Sequence, residues 1–289
     1  MENKFFVRTL AIIGFLVMTA SLIASVVFKF HFWYSFFLVG AVSFFGCLNF
    51  LLHAKQSVYR LFLEWKWRKF IPLYLISLCI GILVDIIFGR TFGRLWIYPH
   101  LFGFWNFIIP VFIYYPLGGN HIYEIYVFIR RVLKGKISNA HSANLSDKSK
   151  KLISQIFIIF LPIGIMLPII TYVFHRMDYL TSIVIFSMVL TMFSFDAIMY
   201  RIKKESILID ILQGNIFTIS TLLICYLLVV ILNELPNVFS QEWIYQNVPF
   251  VHFEIFGVNT LIFTFGWFFL VLVSIRFTDF VKYVLKIDE

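Results

Sequence analysis

One stretch of the chain places side chains that can exchange protons inside an apolar segment. His121 and Glu124 are three residues apart, and Asn120 and Glu124 are four apart. On an α-helix both spacings bring the side chains onto one face. An imidazole beside a carboxylate suits a proton relay, general acid–base catalysis, or two ligands of a metal ion. We therefore predict Glu124 as a proton donor and His121 as its partner. Asn120 and Tyr123 are the predicted substrate-binding neighbours.

The segment that carries these residues, 111–129, is long enough to cross a bilayer. The sequence Pro-Leu-Gly-Gly at 116–119 predicts a broken helix whose freed backbone groups line a cavity. The alternative is a simple kink against a neighbouring helix, with His121 and Glu124 hydrogen-bonded to each other. A metal site is not expected, because two ligands on one helix are insufficient and no HExxH or DxxD segment supplies the rest.

The composition indicates a membrane protein. The chain of 289 residues is 61% hydrophobic and only 13% charged, whereas a soluble domain has roughly 25% charged residues. The net charge of +9 does not indicate nucleic-acid binding, because the basic residues lie in short loops between apolar runs. Cys47, Cys79 and Cys225 are far apart inside apolar runs, so neither a disulfide framework nor a metal cluster is predicted. No cofactor is expected.

Eight apolar runs have the length of a membrane span, about 20 residues. The predicted spans are 9–28, 32–52, 70–88, 111–129, 153–174, 180–200, 214–232 and 257–275. With the N-terminus in the cytoplasm, 20 of the 24 Lys and Arg residues fall on the inner side. The exceptions are Lys29, Arg90, Arg94 and Arg176. This strong positive-inside bias predicts a multi-pass protein of the cell membrane with both termini cytoplasmic. The Phe- and Ile-rich composition suits a bacterial plasma membrane.

Short similarities along the chain predict an internal repeat. Trp96-Ile97-Tyr98 recurs 147 residues later as Trp243-Ile244-Tyr245, and Lys-Gln-Ser at 55–57 resembles Lys-Glu-Ser at 204–206. Asn49 and Asp196 occupy equivalent places near the inner ends of their spans. The predicted fold is thus all-α and polytopic, with about eight transmembrane helices in two parallel four-helix repeats. Residues 1–133 form the first half, 134–151 a cytoplasmic linker, and 152–289 the second half. The second half's fourth span, 257–275, is predicted to lack a polar centre.

Two further residues are candidates for substrate binding. Asp85 lies near the outer end of the third span, shortly before Arg90 and Arg94. It is either half of an ion pair at the membrane boundary or part of a pocket lining. Trp96 either belongs to an interfacial aromatic belt or contacts a ligand directly. The following segment, 101–110, is apolar but too short to cross, so it lies on the outer surface or re-enters the membrane.

The pattern from Asp85 through Trp96-Ile-Tyr to the segment 121–128 resembles the membrane lycopene cyclase domain. That family has a helix with Pro-Leu-Glu-Glu followed by aromatic residues, downstream of an Asp and a Trp-containing loop, and occurs as tandem or paired repeats. Glu124 matches the second Glu of the motif. His121 stands where the Pro should be and Tyr123 where the first Glu should be. The second half lacks the motif, and each half has four spans rather than the usual three. The resemblance implies an isoprenoid or lipid substrate.

Three classes of function remain open on the sequence. The leading hypothesis is an enzyme or binding protein for a lipophilic, isoprenoid-like substrate at the polar site of the fourth span. The second is a transporter of a small molecule or ion that uses a broken fourth helix as its site. The third is a membrane scaffold without a ligand. The lipid bilayer is the expected partner in every case, no nucleic acid is expected, and the oligomeric state is not determined.

Overall fold

The structure is a computed structural model that describes most of the chain. The described residues are 2–92, 94–100, 103–104, 108–138, 143–174, 177–248, 254–255, 258–259 and 262–287. Most of the apolar segment 101–110 lies outside them, so its predicted position on the surface or within the membrane is not addressed.

Helices dominate the first part of the chain. Long apolar runs form them because a helix satisfies its own backbone groups without water. The elements are α1 (Glu2–Phe28), α2 (Trp33–Leu51), α3 (Tyr59–Leu63), α4 (Trp67–Gly81), a π-helical segment (Ile82–Phe92), β1 (Trp96–Ile97), a π-helical turn (Pro110–Tyr114) and α5 (Tyr115–Leu133).

The rest of the chain is also mainly helical. It contains α6 (Asp147–Val173), α7 (Met177–Lys203), α8 (Ile207–Leu212), α9 (Ile216–Ser240), β2 (Ile244–Tyr245), β3 (Glu254–Ile255), β4 (Val258–Asn259), a π-helical turn (Ile262–Gly266) and α10 (Trp267–Val284). The short helix α8 begins after an N-cap, Ser206, whose side chain accepts a hydrogen bond from the N–H of Ile209.

Seven helices among the described residues are long and apolar enough to cross a membrane. The protein is therefore an all-α, multi-pass membrane protein, as predicted. The eighth predicted span, 111–129, is helical from Pro110 to Leu133 but is not one of the seven. Its polar residues lower its hydropathy below that of the other spans.

Helix α5 lies at the centre of the bundle, in contact with α2, α4, α9 and α10. This position explains its polar composition, because its side chains face protein rather than lipid. The helix runs unbroken from Tyr115 to Leu133, so the predicted break at Pro-Leu-Gly-Gly is wrong. Pro116 lies in the first turn, where a proline is tolerated because its missing N–H would have no partner. A π-helical turn, Pro110–Tyr114, precedes it.

The last long helix also differs from its prediction. The predicted span 257–275 begins only at the π-helical turn Ile262–Gly266, and α10 continues to Val284. Its final turns carry Arg276 and Lys282, which are 5% and 1% exposed. Both charged residues lie beyond Ile275, where the predicted span ends, so they do not contradict the predicted lack of a polar centre in 257–275.

The bundle has two distinct ends. At one, here called the strand end, β1 pairs with β2 in an antiparallel arrangement. Trp96 lies opposite Tyr245 and Ile97 opposite Ile244. At the other, here called the α3 end, lie the short helices α3 and α8. The strands thus join two segments of chain that are far apart in the sequence.

Candidate functional site

Helix α5 directs the Glu124 carboxylate toward the α3 end, where it is fully buried. The side-chain amide of Asn49 donates to Oε2 at 2.6 Å. The Ser57 hydroxyl and the backbone N–H of Tyr59 donate to Oε1 at 3.0 and 2.9 Å. Asn49 also donates to the backbone carbonyl of Glu124, at 2.9 Å. This carboxylate therefore fastens the end of α2 and the start of α3 to α5, which is a structural role.

His121 faces a different neighbour. Its Nε2 atom lies 3.3 Å from the side-chain nitrogen of Asn233 on α9, and its ring meets the Phe37 ring edge-on, with centroids 5.8 Å apart. Glu124 instead bonds to residues of α2, α3 and the loop between them. His121 and Glu124 therefore have separate partners, and the alternative in which they hydrogen-bond to each other is not what these contacts show. Their predicted roles in catalysis remain a prediction.

The other predicted site residues form two groups, one on α5 and one at the strand end. The side chain of Asn120 donates to the carbonyl of Pro116 at 2.6 Å, within its own helix. The Tyr123 hydroxyl donates to Asp279 at 2.9 Å and accepts from Lys282 at 3.2 Å, which ties α5 to α10. Asp85 and Trp96, in contrast, meet directly at the strand end.

Asp85 lies in a cage of aromatic donors and is 6% exposed. The Trp96 indole N–H and the Tyr98 hydroxyl, the latter at 3.2 Å, donate to Oδ1. The Tyr115 hydroxyl donates to Oδ2, and Arg90 Nε lies 3.2 Å from the same oxygen. Asp85 is therefore in an ion pair with Arg90, which is one of its two predicted roles.

Two glycines on the helical segment that carries Asp85 allow this cage to close. A side-chain carbon at Gly81 would overlap Tyr115, and one at Gly89 would overlap the Trp96 ring. These glycines lie four residues before and after Asp85, so all three share one face of the segment. The absence of their side chains lets both aromatic donors reach the carboxylate.

A second buried carboxylate has a closely similar cage. Glu234 of α9 is 1% exposed. The Tyr245 hydroxyl and the Trp267 indole N–H, the latter at 2.5 Å, both donate to Oε1. Trp243 donates to the Tyr245 hydroxyl at 3.2 Å. The other oxygen, Oε2, has no hydrogen-bond partner within the described part of the chain. A donor on a bound molecule would satisfy it.

A third acid, Glu242, lies between these cages. It is 1% exposed, and it accepts from the Tyr114 hydroxyl and from the backbone N–H of Tyr34, the latter at 3.3 Å. Burial raises its pKa to about 8, against the smaller opposing effect of the two hydrogen bonds.

Tilted and edge-on aromatic rings connect the two cages. Tyr98 contacts Tyr114 at 5.7 Å between ring centroids, and Tyr114 contacts Tyr34 at 5.1 Å. Tyr34 in turn contacts Trp243 at 4.9 Å. The Asp85 and Glu234 cages, with Glu242 between them, thus form one aromatic and acidic cluster, here called the strand-end cluster.

An open cavity of about 500 Å³ adjoins the Asp85 cage. Its lining comprises Arg90, Arg94, Trp96, Ile97, Tyr98, Gln246 and Asn247. A second site, beside Asp196 and Arg276, has no volume large enough for water. Neither is lined by His121 or Glu124, so the cavity predicted beside those residues is not found at these two places.

The α3 end holds a buried ion pair that the sequence analysis missed. Arg276 Nε lies 2.6 Å from Asp196 Oδ1, and Asp196 also accepts from the Ser206 hydroxyl and from the N–H of Ile207 at 2.8 Å. No cluster of three or more metal-ligating His, Cys, Asp or Glu side chains is found in the part of the chain that the structure describes.

The sequence contained a signal for Glu234 that was not used. Glu234 lies 149 residues after Asp85, close to the 147-residue spacing of the Trp-Ile-Tyr repeat. Trp267 follows Tyr115 by 152 residues. Aligning the two halves with small insertions would have matched both carboxylates and both donors.

No protein-family model matches the chain, and neither does any curated protein or solved structure.

Proposed function

We propose that the protein binds a lipophilic, isoprenoid-like molecule at the strand-end cluster, with Asp85 and Glu234 as the groups that exchange protons with it. The observation that carries this proposal is the pair of buried carboxylates, each held by indole and phenol donors. Ionisable residues within membrane helices are costly and mark functional sites. Aromatic walls supply the apolar surface that such a substrate needs.

An internal two-fold repeat explains why there are two cages. In the strand pair, Ile97 lies opposite Ile244, and each is the middle residue of a Trp-Ile-Tyr sequence. An axis between these two residues exchanges the strands, and with them Asp85 and Glu234. This supports two four-helix halves related by an axis along the membrane normal.

The α3 end supports the same repeat. Glu124 binds the hydroxyl of Ser57, and Asp196 binds the hydroxyl of Ser206. The partner helix supplies Asn49 to the first carboxylate and Arg276 to the second. Each half would thus fasten its short helix to the bundle through a buried carboxylate.

The positive-inside bias supports an orientation in the membrane. With both termini in the cytoplasm, α3 and α8 lie on the inner side and the strand end lies outside. This orientation requires α5 to cross the membrane as an eighth span. Its first residues contact the strand end through Tyr114, whereas Arg131 donates to the carbonyl of Leu52 at the α3 end, at 3.1 Å.

Lipid analysis of a deletion strain tests the proposed function. We expect a lipophilic compound to accumulate or disappear in the strain, and the normal profile to return with the wild-type protein. Asp85→Asn and Glu234→Gln should fail to restore it, whereas Glu64→Gln should succeed, because Glu64 lies at the α3 end and is ion-paired to two exposed side chains, Arg60 and Lys66. Apparent melting temperatures in detergent establish that each variant folds. Full restoration by both cage variants would overturn the proposal.

Transport is a second candidate function. It is favoured by the cavity beside Asp85, which opens to the surface of the protein rather than enclosing a lipid-sized chamber. Proton uptake by proteoliposomes, followed with an entrapped pH-sensitive dye, should then depend on Asp85 and be lost in Asp85→Asn. Conversion of a lipid in detergent, without any gradient, would instead identify an enzyme.

A further inference from the structure

The cavity at the strand end combines cationic, amide and aromatic side chains. Arg90 and Arg94 lie on one side, and Gln246 and Asn247 come from the segment that follows β2. The Asn247 side chain donates to the carbonyl of Arg94 at 3.1 Å, and the N–H of Gln246 donates to the carbonyl of Leu95 at 2.7 Å. The two parts of the cavity wall are therefore fixed to each other.

The charge of this cavity is positive. Asp85 balances one arginine, because it lies 3.2 Å from Arg90 Nε, and Arg94 is exposed. Arg90 also lies over the Tyr98 ring, 5.3 Å from its centroid, which fixes the guanidinium at the cavity wall. Only four basic residues are predicted on the outer face, and two of them, Arg90 and Arg94, line this cavity.

The rest of the cavity wall is mainly apolar. Trp96, Ile97 and Tyr98 contribute aromatic and aliphatic surface next to the arginines. A volume of about 500 Å³ is within the range of small-molecule sites. Guanidinium groups and side-chain amides donate hydrogen bonds that match phosphate oxygens, and arginine pairs with phosphate through two parallel bonds.

We infer that this cavity binds the phosphate-like anionic head group of an amphiphilic molecule, with Arg94 as a direct ligand and Trp96 and Tyr98 against its apolar part. The inference rests on the proposed function, because it assigns the head group of the same lipophilic substrate. It predicts that the substrate reaches the strand-end cluster from the outer membrane surface, with its charge remaining in the cavity.

Equilibrium binding to the purified protein in nanodiscs of neutral lipid tests this inference. The probe is radiolabelled farnesyl phosphate, with unlabelled farnesol and inorganic phosphate as competitors. Arg94→Gln is the test variant, because Arg90 also holds Asp85 in place. Lys29→Gln is the matched control, because Lys29 is an exposed cation in the loop between α1 and α2 at the same end of the bundle.

We expect Arg94→Gln to weaken farnesyl phosphate binding about tenfold, the effect of losing a charged hydrogen bond. Lys29→Gln should leave it unchanged. If inorganic phosphate competes as strongly as unlabelled farnesyl phosphate does, the anion site is supported, but its ligand is a soluble anion. Equal competition by farnesol, with no effect of Arg94→Gln, would overturn the inference, as would the absence of binding by any probe. The proposed function is decided separately, by the lipid profiles of the Asp85 and Glu234 variants.

Discussion

Single residues in this protein take their roles from the donors around them. The sequence predicts Glu124 as a proton donor with His121 as its partner. In the structure it accepts hydrogen bonds from Asn49, Ser57 and Tyr59, and both of its oxygens are engaged. Asp85 and Glu234 are also buried but accept from indole and phenol donors, and the Asp85 cage adjoins an open cavity. The position of the donors, rather than the carboxylate itself, separates the structural acid from the proposed functional ones.

Removing the Glu124 side chain should destabilise the protein. In Glu124→Ala three buried donors lose their acceptor, and each such loss costs about 1–3 kcal/mol. We expect an overall loss of about 3 kcal/mol or more in unfolding by sodium dodecyl sulfate in mixed micelles. Glu124→Gln, which keeps one acceptor oxygen, should lose less. Glu64→Ala, the control, removes ion pairs to the exposed side chains of Arg60 and Lys66 and should lose less than about 1 kcal/mol. Unchanged stability together with a lost lipid phenotype would favour the catalytic role predicted from the sequence.

Glu242 makes the stability of the fold depend on pH. Burial raises its pKa from 4.5 to about 8. The unfolded chain therefore releases this proton at a lower pH than the folded protein does. The stabilisation of the folded protein by the protonated Glu242 side chain is complete below about pH 4.5. It is lost as the pH rises toward about 8.

The Glu242→Gln variant should remove this dependence, because glutamine is neutral throughout. We expect the apparent melting temperature of the wild type to fall relative to that of Glu242→Gln between about pH 5 and about pH 8. Each unit of pKa shift corresponds to about 1.4 kcal/mol. Thermal unfolding in buffered detergent measures the effect. Parallel curves for the two proteins across this range would contradict the assignment to Glu242.

At the scale of elements, α5 decides how the bundle is built. Four other helices surround it, so it carries polar groups without exposing them to lipid. Its sequence suggested a broken helix, yet Gly118 and Gly119 lie in regular helix. The glycine that the packing requires is Gly81 of α4, where α4 and α5 approach most closely through Tyr115.

Substituting two glycines distinguishes packing from helix breaking. A methyl group at Gly81 would overlap Tyr115, so Gly81→Ala should force α4 and α5 apart and cost about 1–3 kcal/mol. Gly118 has open space around its missing side chain, with no atom within 4 Å. Gly118→Ala should therefore be neutral or stabilise the helix by up to about 1 kcal/mol. Unfolding in mixed micelles provides the comparison. If Gly118→Ala is less stable than the wild type and Gly81→Ala is equally stable, the result would indicate a flexible hinge at Gly118.

For the whole molecule, the distribution of charge predicts the proposed orientation in the membrane. Ile97 and Trp65 are 40% and 71% exposed and lie at opposite ends of the bundle. In a background without Cys47, Cys79 and Cys225, a membrane-impermeant maleimide should label Ile97→Cys in intact cells. Trp65→Cys should react only after permeabilisation. The reverse pattern would invert the proposed orientation, and labelling of both in intact cells would require an even number of spans between them.

The sequence by itself determined the class of the protein. Runs of about 20 apolar residues have to form helices in a bilayer, since no water is present to satisfy the backbone. The two Trp-Ile-Tyr sequences contain the strands that pair, although the sequence analysis predicted no strands there. Of the predicted site residues, Asp85 and Trp96 are in contact, and their separation of 11 residues in the chain limits how far apart they can lie.

Only the tertiary structure decided which polar groups meet. Residues three apart on a helix differ by about 60° around its axis. On a helix with neighbours on every side, that angle directs His121 toward α9 and Glu124 toward α2 and α3. Asp85 and Glu234, 149 residues apart, belong to one cluster because the strands and the aromatic rings between them close the bundle. Sequence spacing fixes the face of a helix, but the packing of the other helices fixes what that face meets.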